Sequence, residues 1–476
     1  MNIIYNHNNL LYPSAEKSFS PSLNYPEYPF SKDTISDEKN FVYEGIRTIF
    51  CDLELDKENQ GSALWNPLGK YIKPGDTVLL KPNFVLDYNL SGDREDLDCL
   101  VTHPSIIRCI MDYVIIALKG EGAIYVADSP VKDCDFPRLM KKHNYRKIFS
   151  FMEKNGAVPM PILKDLRGPE EESQYHDIKE KGILVNLGKE SYFYQYPGES
   201  IKYRVPNYDF RKVQSHHLGE VQEYSINEIA LTADVIINLP KPKTHRKSGY
   251  TGAMKNFVGI NYSKEYLPHH TYGSLEKGGD EFSKETFVKY ISSIIRQKID
   301  IKRTQGKNSQ ILWSLYRCLK KLDNLINDDR VLEGAWFNNN TLWKTVLDLN
   351  HVVQYADKNG IIQKERQRTI LTLGDMVISG EKEGPLAPSP KELNTLLFSD
   401  NVVEFDCVLA AIMGFDYEKL KVLSFALNDK RLFEKNYNEI EVMINSRPPK
   451  LLTETKFKNT PFEAAKEWKG HIELRN

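Results

Sequence analysis

Apolar and polar positions fall into blocks that read alternately as helix and strand. Val42, Ile46, Ile49 and Phe50 share one face at helical spacing. After the turn Lys73-Pro74-Gly75-Asp76, residues 77–80 form a short apolar run, the mark of a buried strand. Between 105 and 118, Ile106, Ile107, Ile110, Met111, Val114 and Ile115 recur with helical period, and Gly120 and Gly122 end the run. Residues 123–127 are the next apolar strand. Strand, helix and strand in this order predict a parallel crossover. Short alternating stretches at 158–163, 183–187, 192–196 and 203–205 predict a β-rich insertion. Val235 to Ile237 returns to the core as a buried strand. A helix at 340–353, strands at 370–373 and 396–399, and a helix at 402–413 capped by Gly414 complete the pattern.

The predicted fold is α/β, a two-lobed core with mostly parallel sheets around a central cleft, carrying a β-rich and a helical insertion. The expected parts are an extended N-terminal arm (1–38), a first α/β half (39–150) and the β-rich insertion (151–222). A core strand with a basic, glycine-rich loop (223–279), a helical insertion (280–330), a second α/β half (331–425) and a C-terminal extension (426–476) follow. Within 280–330, Ile311, Leu315, Leu319, Leu322 and Ile326 form an apolar stripe that predicts burial against the rest of the chain. From Arg296 to Lys321 there are eight basic residues and one acid, Asp300. The segment therefore reads as an appendage apart from the chemistry, with a basic face suited to an acidic protein partner or an anionic surface.

Over 476 residues the formal net charge is -1, which removes any global argument for nucleic acid. The six cysteines, Cys51, Cys99, Cys109, Cys134, Cys318 and Cys407, contain no Cys-x-x-Cys pair, so no iron–sulfur cluster is expected. No apolar run approaches the roughly eighteen residues of a transmembrane helix, and the start lacks a signal-peptide pattern. A cytoplasmic protein is the expectation. Oligomeric state is left open.

The chemistry concentrates at strand ends. Residues 241–255 place Lys241, Lys243, His245, Arg246, Lys247 and Lys255 in a segment turned by Pro240, Pro242, Gly249 and Gly252. Loops at the carboxyl ends of parallel strands are where α/β folds build sites. Cationic side chains on a glycine-lined turn suit a phosphate or carboxylate. His245, Lys255 and Asp128 are the catalytic candidates: an imidazole and an amine that can move protons, and a carboxylate that can be a base, a metal ligand or a helix cap. Lys81, Asn83, His103, Lys241, Lys243 and Tyr250 are the substrate-binding candidates. Glu381 and Glu383, in a third glycine-rich loop expected at 374–388, and the pair His269-His270 are candidate ligands for a divalent metal. The cofactor is otherwise open.

Lys81-Pro82-Asn83, Thr102-His103-Pro104, Ala127-Asp128-Ser129, the run from Asn238 to His245, Met254-Lys255-Asn256, the loop from Gly380 to Pro385 and the run from Ala410 to Asp416 together resemble the family called domain of unknown function 362. The resemblance runs from about residue 70 to about 425. Some members carry ferredoxin-type cysteines, which this chain lacks. It implies a surface-polysaccharide or other glycan setting; the residues themselves point to a cleft enzyme acting on an anionic small molecule by group transfer or isomerisation, or else to a non-catalytic binding or scaffold protein. The run from His245 to Lys255 is also similar to a lactate racemase motif, His followed by Gly-Tyr-Ser-Gly-Gly-x-Lys, in which the Lys anchors a nickel-pincer nucleotide. Leu100 to Pro104 is similar to that family's Val-Thr-Arg-Pro, with His103 in place of Arg. Asp128-Ser129 stand where that family has a catalytic His. This resemblance implies a fold and a site location, and, as an alternative activity, an isomerase using a metal or nucleotide cofactor.

Overall fold

A computed structural model describes residues 1–168, 181–194, 202–327, 331–457 and 461–474. Eleven strands form one sheet: β1 (Asn2–Asn6), β2 (Thr77–Pro82), β3 (Ala123–Asp128), β4 (Ile162–Asp165), β5 (Val235–Leu239), β6 (Lys243–His245), β7 (Gly249–Thr251), β8 (Thr369–Glu383), β9 (Ala387–Ser399), β10 (Glu441–Ile444) and β11 (Lys450–Leu451). Their order is β11-β10-β1-β9-β8-β5-β2-β3-β4, with β6 pairing both β7 and the far end of β8. The five strands from β4 to β8 along this order are parallel. This is the expected α/β core, its two halves joined in one sheet across β5.

Alternate residues along these strands serve opposite faces. Val78, Leu80, Ile124, Val126, Val235 and Ile237 belong to one apolar core, while Leu79, Ala127 and Ile236 belong to the other. Continuous apolar runs are what a parallel sheet buried on both faces requires. Helices Phe41–Asp52, Pro104–Leu118 and Tyr145–Lys154 cover the first face; Leu342–Tyr355 and Val402–Met413 cover the second.

Several expectations are corrected. The N-terminal arm does more than drape the surface: β1 inserts between β9 and β10, and Leu10, Phe19 and Tyr28 enter the first core. Ile162–Asp165, expected in the insertion, is the edge strand of the main sheet. Among the described residues, Gly182–Asn186, His217–Leu218 and Val221–Asn227 form a second sheet with Asn261–Ser263, and Tyr203–Arg204 pairs separately with His270–Thr271. The expected loop at 374–388 is a long hairpin, paired from Thr372 with Ser399 to Glu383 with Ala387. Its glycine serves close approach rather than turning: a Cβ on Gly380 would stand 2.9 Å from Lys243 Cβ and 2.7 Å from Pro388 Cβ.

Helices Phe287–Thr304 and Gln310–Ile326 form the expected hairpin. The stripe on the second is not buried as predicted: Ile311 is 85% exposed and Ile326 63%, while Tyr316 and Asp323 face inward. Nor is the hairpin remote from the chemistry. Arg296 pairs with Glu333 at 2.9 Å, and both act electrostatically on Lys247. Positions 169–180, 195–201 and 328–330 of the two expected insertions, including the end of the 192–196 stretch, lie outside the described residues.

Candidate functional site

The carboxyl ends of β2, β3 and β5 lie side by side, Lys81 opposite Asn238 and Asp128 opposite Asp165. A polar relay fills this edge. Lys81 Nζ contacts Asp128 Oδ1 at 2.7 Å, both side chains almost fully buried. Phe84 N–H donates to Asp128 Oδ2 at 2.6 Å, and Ser129 N–H to Oδ1 at 2.9 Å. Burial pushes Lys81 down and Asp128 up, and their contact works against both shifts. Gly259 must be glycine here, since a Cβ would stand 1.9 Å from Asp128 Oδ1. Lys81 also donates to Asn256 Oδ1 at 3.3 Å, as does Asn83 Nδ2 at 3.1 Å. Asn256 Nδ2 in turn donates to Asn238 Oδ1 at 2.7 Å. Lys243 donates to Asn83 Oδ1 at 2.7 Å and to the Leu100 carbonyl. These groups satisfy one another. Asp128, with both oxygens engaged, is built as an anchor for Lys81 rather than as an acid or base free to act.

The second group differs. β6 sends Lys243 and His245 to one side of the strand. His245 Nδ1 accepts from Lys247 N–H at 3.0 Å and Ser248 N–H at 3.2 Å, so the neutral ring carries its proton on Nε2. Burial, then the charge of Lys255, holds His245 well below its ordinary value. His269 is the complement: its Nδ1 donates to the Leu267 carbonyl at 2.8 Å, leaving the Nε2 lone pair, and burial followed by Lys247 lowers it to about 3. Lys247 and Lys255 are both lowered to about 8, chiefly by burial. Lys247 Nζ is buried without a hydrogen-bond partner. Among the described residues no ion-pair partner contacts Lys255, and the main charge acting on it is that of Lys247, a second cation. Yet Lys247, Lys255 and His269 each keep a partial opening to solvent. Lys247 and Lys255 are thus enclosed cations that no carboxylate among the described residues contacts, with Glu333 the main charge acting on Lys247 from a distance.

Lys255 stands on the short helix Ala253–Asn256, held at its start by a carboxylate from across the core. Asp406 accepts from Ala253 N–H at 2.6 Å, Met254 N–H at 3.1 Å and Tyr250 OH at 3.0 Å. Tyr250, expected at the substrate, is therefore structural: its hydroxyl is committed to Asp406 and its ring is 1% exposed.

Lys241 is likewise taken out of the ligand set. It pairs with Asp375 at 3.0 Å and donates to Tyr12 OH at 2.5 Å, with Lys241 and Asp375 wholly buried. His103 caps the Pro104–Leu118 helix, accepting from Ser105 N–H at 3.2 Å, and stacks on Tyr12 with ring centroids 3.8 Å apart. The metal expectation for Glu381, Glu383, His269 and His270 is not met by a shared site. Glu381 accepts from Glu463 N–H at 3.0 Å and Glu383 from Lys466 N–H at 2.9 Å, tying the hairpin to the C-terminal segment. His270 lies on the two-residue strand His270–Thr271, paired with Tyr203–Arg204. Among the described residues, the group of three potential ligands is Asp98, His103 and His143.

Sequence reasoning passed over Tyr12, Asp98, His143, Asn256, Arg296, Glu333, Asp375 and Asp406. Asp406 had a signal, a second carboxylate after Glu404 in an apolar helix. Asn256 stood in a family motif and Arg296 in the basic stretch; the others had no signal that distinguishes them from surface residues.

Fold and site thus describe an α/β protein with buried lysines clustered at the carboxyl edge of a parallel sheet. The model of the family described as domain of unknown function (DUF362) matches residues 78–175 and 152–411. The chain belongs to this family. It is also similar to the thylakoid-associated protein sll1697 of Synechocystis sp., 25% identical over 192 residues, 40% of this chain and 41% of that protein. The alignment thus spans less than half of that relative. No solved structure matches the chain. Neither match concerns lactate racemases. No helix among the described residues is long and apolar enough to cross a membrane.

Proposed function

We propose that this chain is an enzyme acting on an anionic small molecule, a phosphate ester or a carboxylate, held by Lys247 and Lys255 beside His245. The observation that carries the reading is two enclosed lysines with neither an anion nor a hydrogen-bond acceptor in contact among the described residues, whereas Lys243, also buried, is held by Asn83 and the Leu100 carbonyl. A buried ammonium without a counter-ion is costly, and a ligand anion removes that cost. Lys255, with a value near 8, can bind as a cation and also give up its proton close to neutral pH. His245 offers Nε2–H as a donor, and His269 offers a lone pair on the other side of the proton balance. The glycan setting implied by resemblance draws no support from the site, so the proposal stops at the anion class.

Calorimetric titration with inorganic phosphate, pyrophosphate and citrate tests this. A charged hydrogen bond contributes about 1.5–3 kcal/mol, so Lys255→Gln is expected to weaken the best of these probes by roughly 10- to 150-fold. Wild-type affinity falls as pH rises through about 8, because both lysines then lose their protons. Equal affinity in wild type, Lys255→Gln and Lys247→Gln would remove the reading.

A different observation favours a second reading, that of a docking protein. Ile311, Leu325 and Ile326 stand exposed on the helix Gln310–Ile326, beside the basic stretch. The name of the relative associates that protein with thylakoids. Under this reading the helical hairpin seats a cytosolic chain on an anionic membrane face.

A further inference from the structure

Beyond the anion pocket, three side chains from three separate segments converge. Asp98 comes from the loop between β2 and the helix Pro104–Leu118, His103 from the start of that helix, and His143 from the end of the helix Phe136–Lys142. One ligand atom from each lies within 4.8 Å of the other two. His143 Nε2 is buried, makes no hydrogen bond, and stands 3.7 Å from Asp98 Oδ1. That spacing is too long for a direct bond. It is near the ligand–ligand edge of about 3.4 Å expected for a tetrahedral zinc site with bonds of about 2.1 Å. His103 Nδ1 lies 2.7 Å from Ser105 Oγ, and its ring is fixed in plane by Tyr12; metal binding at Nε2 takes the tautomer in which Nδ1–H donates to that hydroxyl in place of accepting from Ser105 N–H. Orientation of a ligand ring through its other nitrogen is what metal sites require. We propose that Asp98, His103 and His143 bind one divalent transition metal of the zinc type.

The chemistry of the set agrees. Two imidazoles and one carboxylate suit borderline divalent ions, and three protein ligands leave a fourth position for water or a ligand. His143 Nε2 is buried and engaged by no hydrogen bond, so it is free to take a ligand role. The neighbouring cation does not oppose the ion in full, because Lys241 is neutralised by Asp375. Binding would add to the hydrogen bonds by which Lys142 already ties the loop after β2 to the helix Phe136–Lys142. The inference stands apart from the anion proposal and can fail without it.

The test uses the full chain, stripped with chelator, dialysed and titrated with Co(II) as the spectroscopic probe. The expected result is one Co(II) per chain with visible bands of a four-coordinate nitrogen and oxygen site, and displacement by Zn(II). His143→Gln and Asp98→Asn, each verified as folded by circular dichroism, should weaken binding at least tenfold. Cys318→Ser, which alters the exposed thiol, should not. An independent measurement on the wild-type chain guards against misfolded variants: X-ray absorption of the Co(II)-loaded chain should show imidazole nitrogen and oxygen around the metal and no sulfur. Absence of stoichiometric Co(II), a thiolate charge-transfer band, equal binding in the variants, or a sulfur-containing or imidazole-free metal environment would each overturn the proposal.

Discussion

Replacing Lys81 by Met isolates the contribution of the buried relay at the sheet edge. The methionine keeps most of the volume and removes the ammonium that Asp128, the Pro82 carbonyl and Asn256 share. Asp128 is then left as a carboxylate buried to 2% exposure with two backbone donors and no contacting cation. Breaking a buried pair from one side costs about 3–5 kcal/mol, a large part of the roughly 5–15 kcal/mol that holds a typical domain folded. The deficit has a definite pH dependence. Asp128 is already pushed above its ordinary value by burial, and loss of Lys81 removes the main force opposing that shift. A carboxyl whose folded value is raised destabilises the fold progressively as pH rises from its unfolded value towards its folded one. The deficit of Lys81→Met should therefore be smallest in mild acid and grow towards neutrality. Asp128→Asn in the same background removes the uncompensated charge. The double variant should recover more than half of the loss, a coupling of about 2 kcal/mol or more. Urea unfolding of wild type, both single variants and the double variant at two pH values reads all of this. A single variant within about 1 kcal/mol of wild type, or a double variant equal to the sum of the singles, would refute the reasoning.

Two further outcomes are expected. Asp406→Ala strands three buried donors, Ala253 N–H, Met254 N–H and Tyr250 OH, at about 1–3 kcal/mol each; a loss on the order of 3–6 kcal/mol by urea unfolding, with anion binding lost because Lys255 rides on that turn, is the expected result. Asp406→Asn, which keeps an acceptor, should be much milder, and equal effects of the two changes would show that the hydrogen bonds are not the cause. For the docking reading, flotation with vesicles containing anionic lipid should recover the wild-type chain at low salt, and Ile311→Asp with Leu325→Asp should abolish it; no flotation of the wild-type chain would end that reading.

How much of this was legible depends on the range of the interaction that decides each feature. The parallel strands were, because burial on both faces writes itself locally as runs such as Val78 to Leu80 and Val235 to Ile237. The loops at their carboxyl ends followed from that. What a sequence does not carry is which lysine of a cluster finds a partner. Lys241 meets Tyr12 and Asp375, 229 and 134 positions away, and disappears into the structure. Lys243 meets Asn83, 160 positions upstream. Lys247 and Lys255, with the same chemistry and in the same segment, meet no counter-ion in contact. The Gly-rich stretch beginning at Gly374 misled for the same reason. Glycine there reads as a turn, whereas Gly380 is required by the approach of Lys243 and Pro388 to a continuous strand. A basic motif thus marks where a site can form. The distant partners, by engaging some of its cations and leaving others without a contacting acceptor, decide which of them stay free for the proposed ligand.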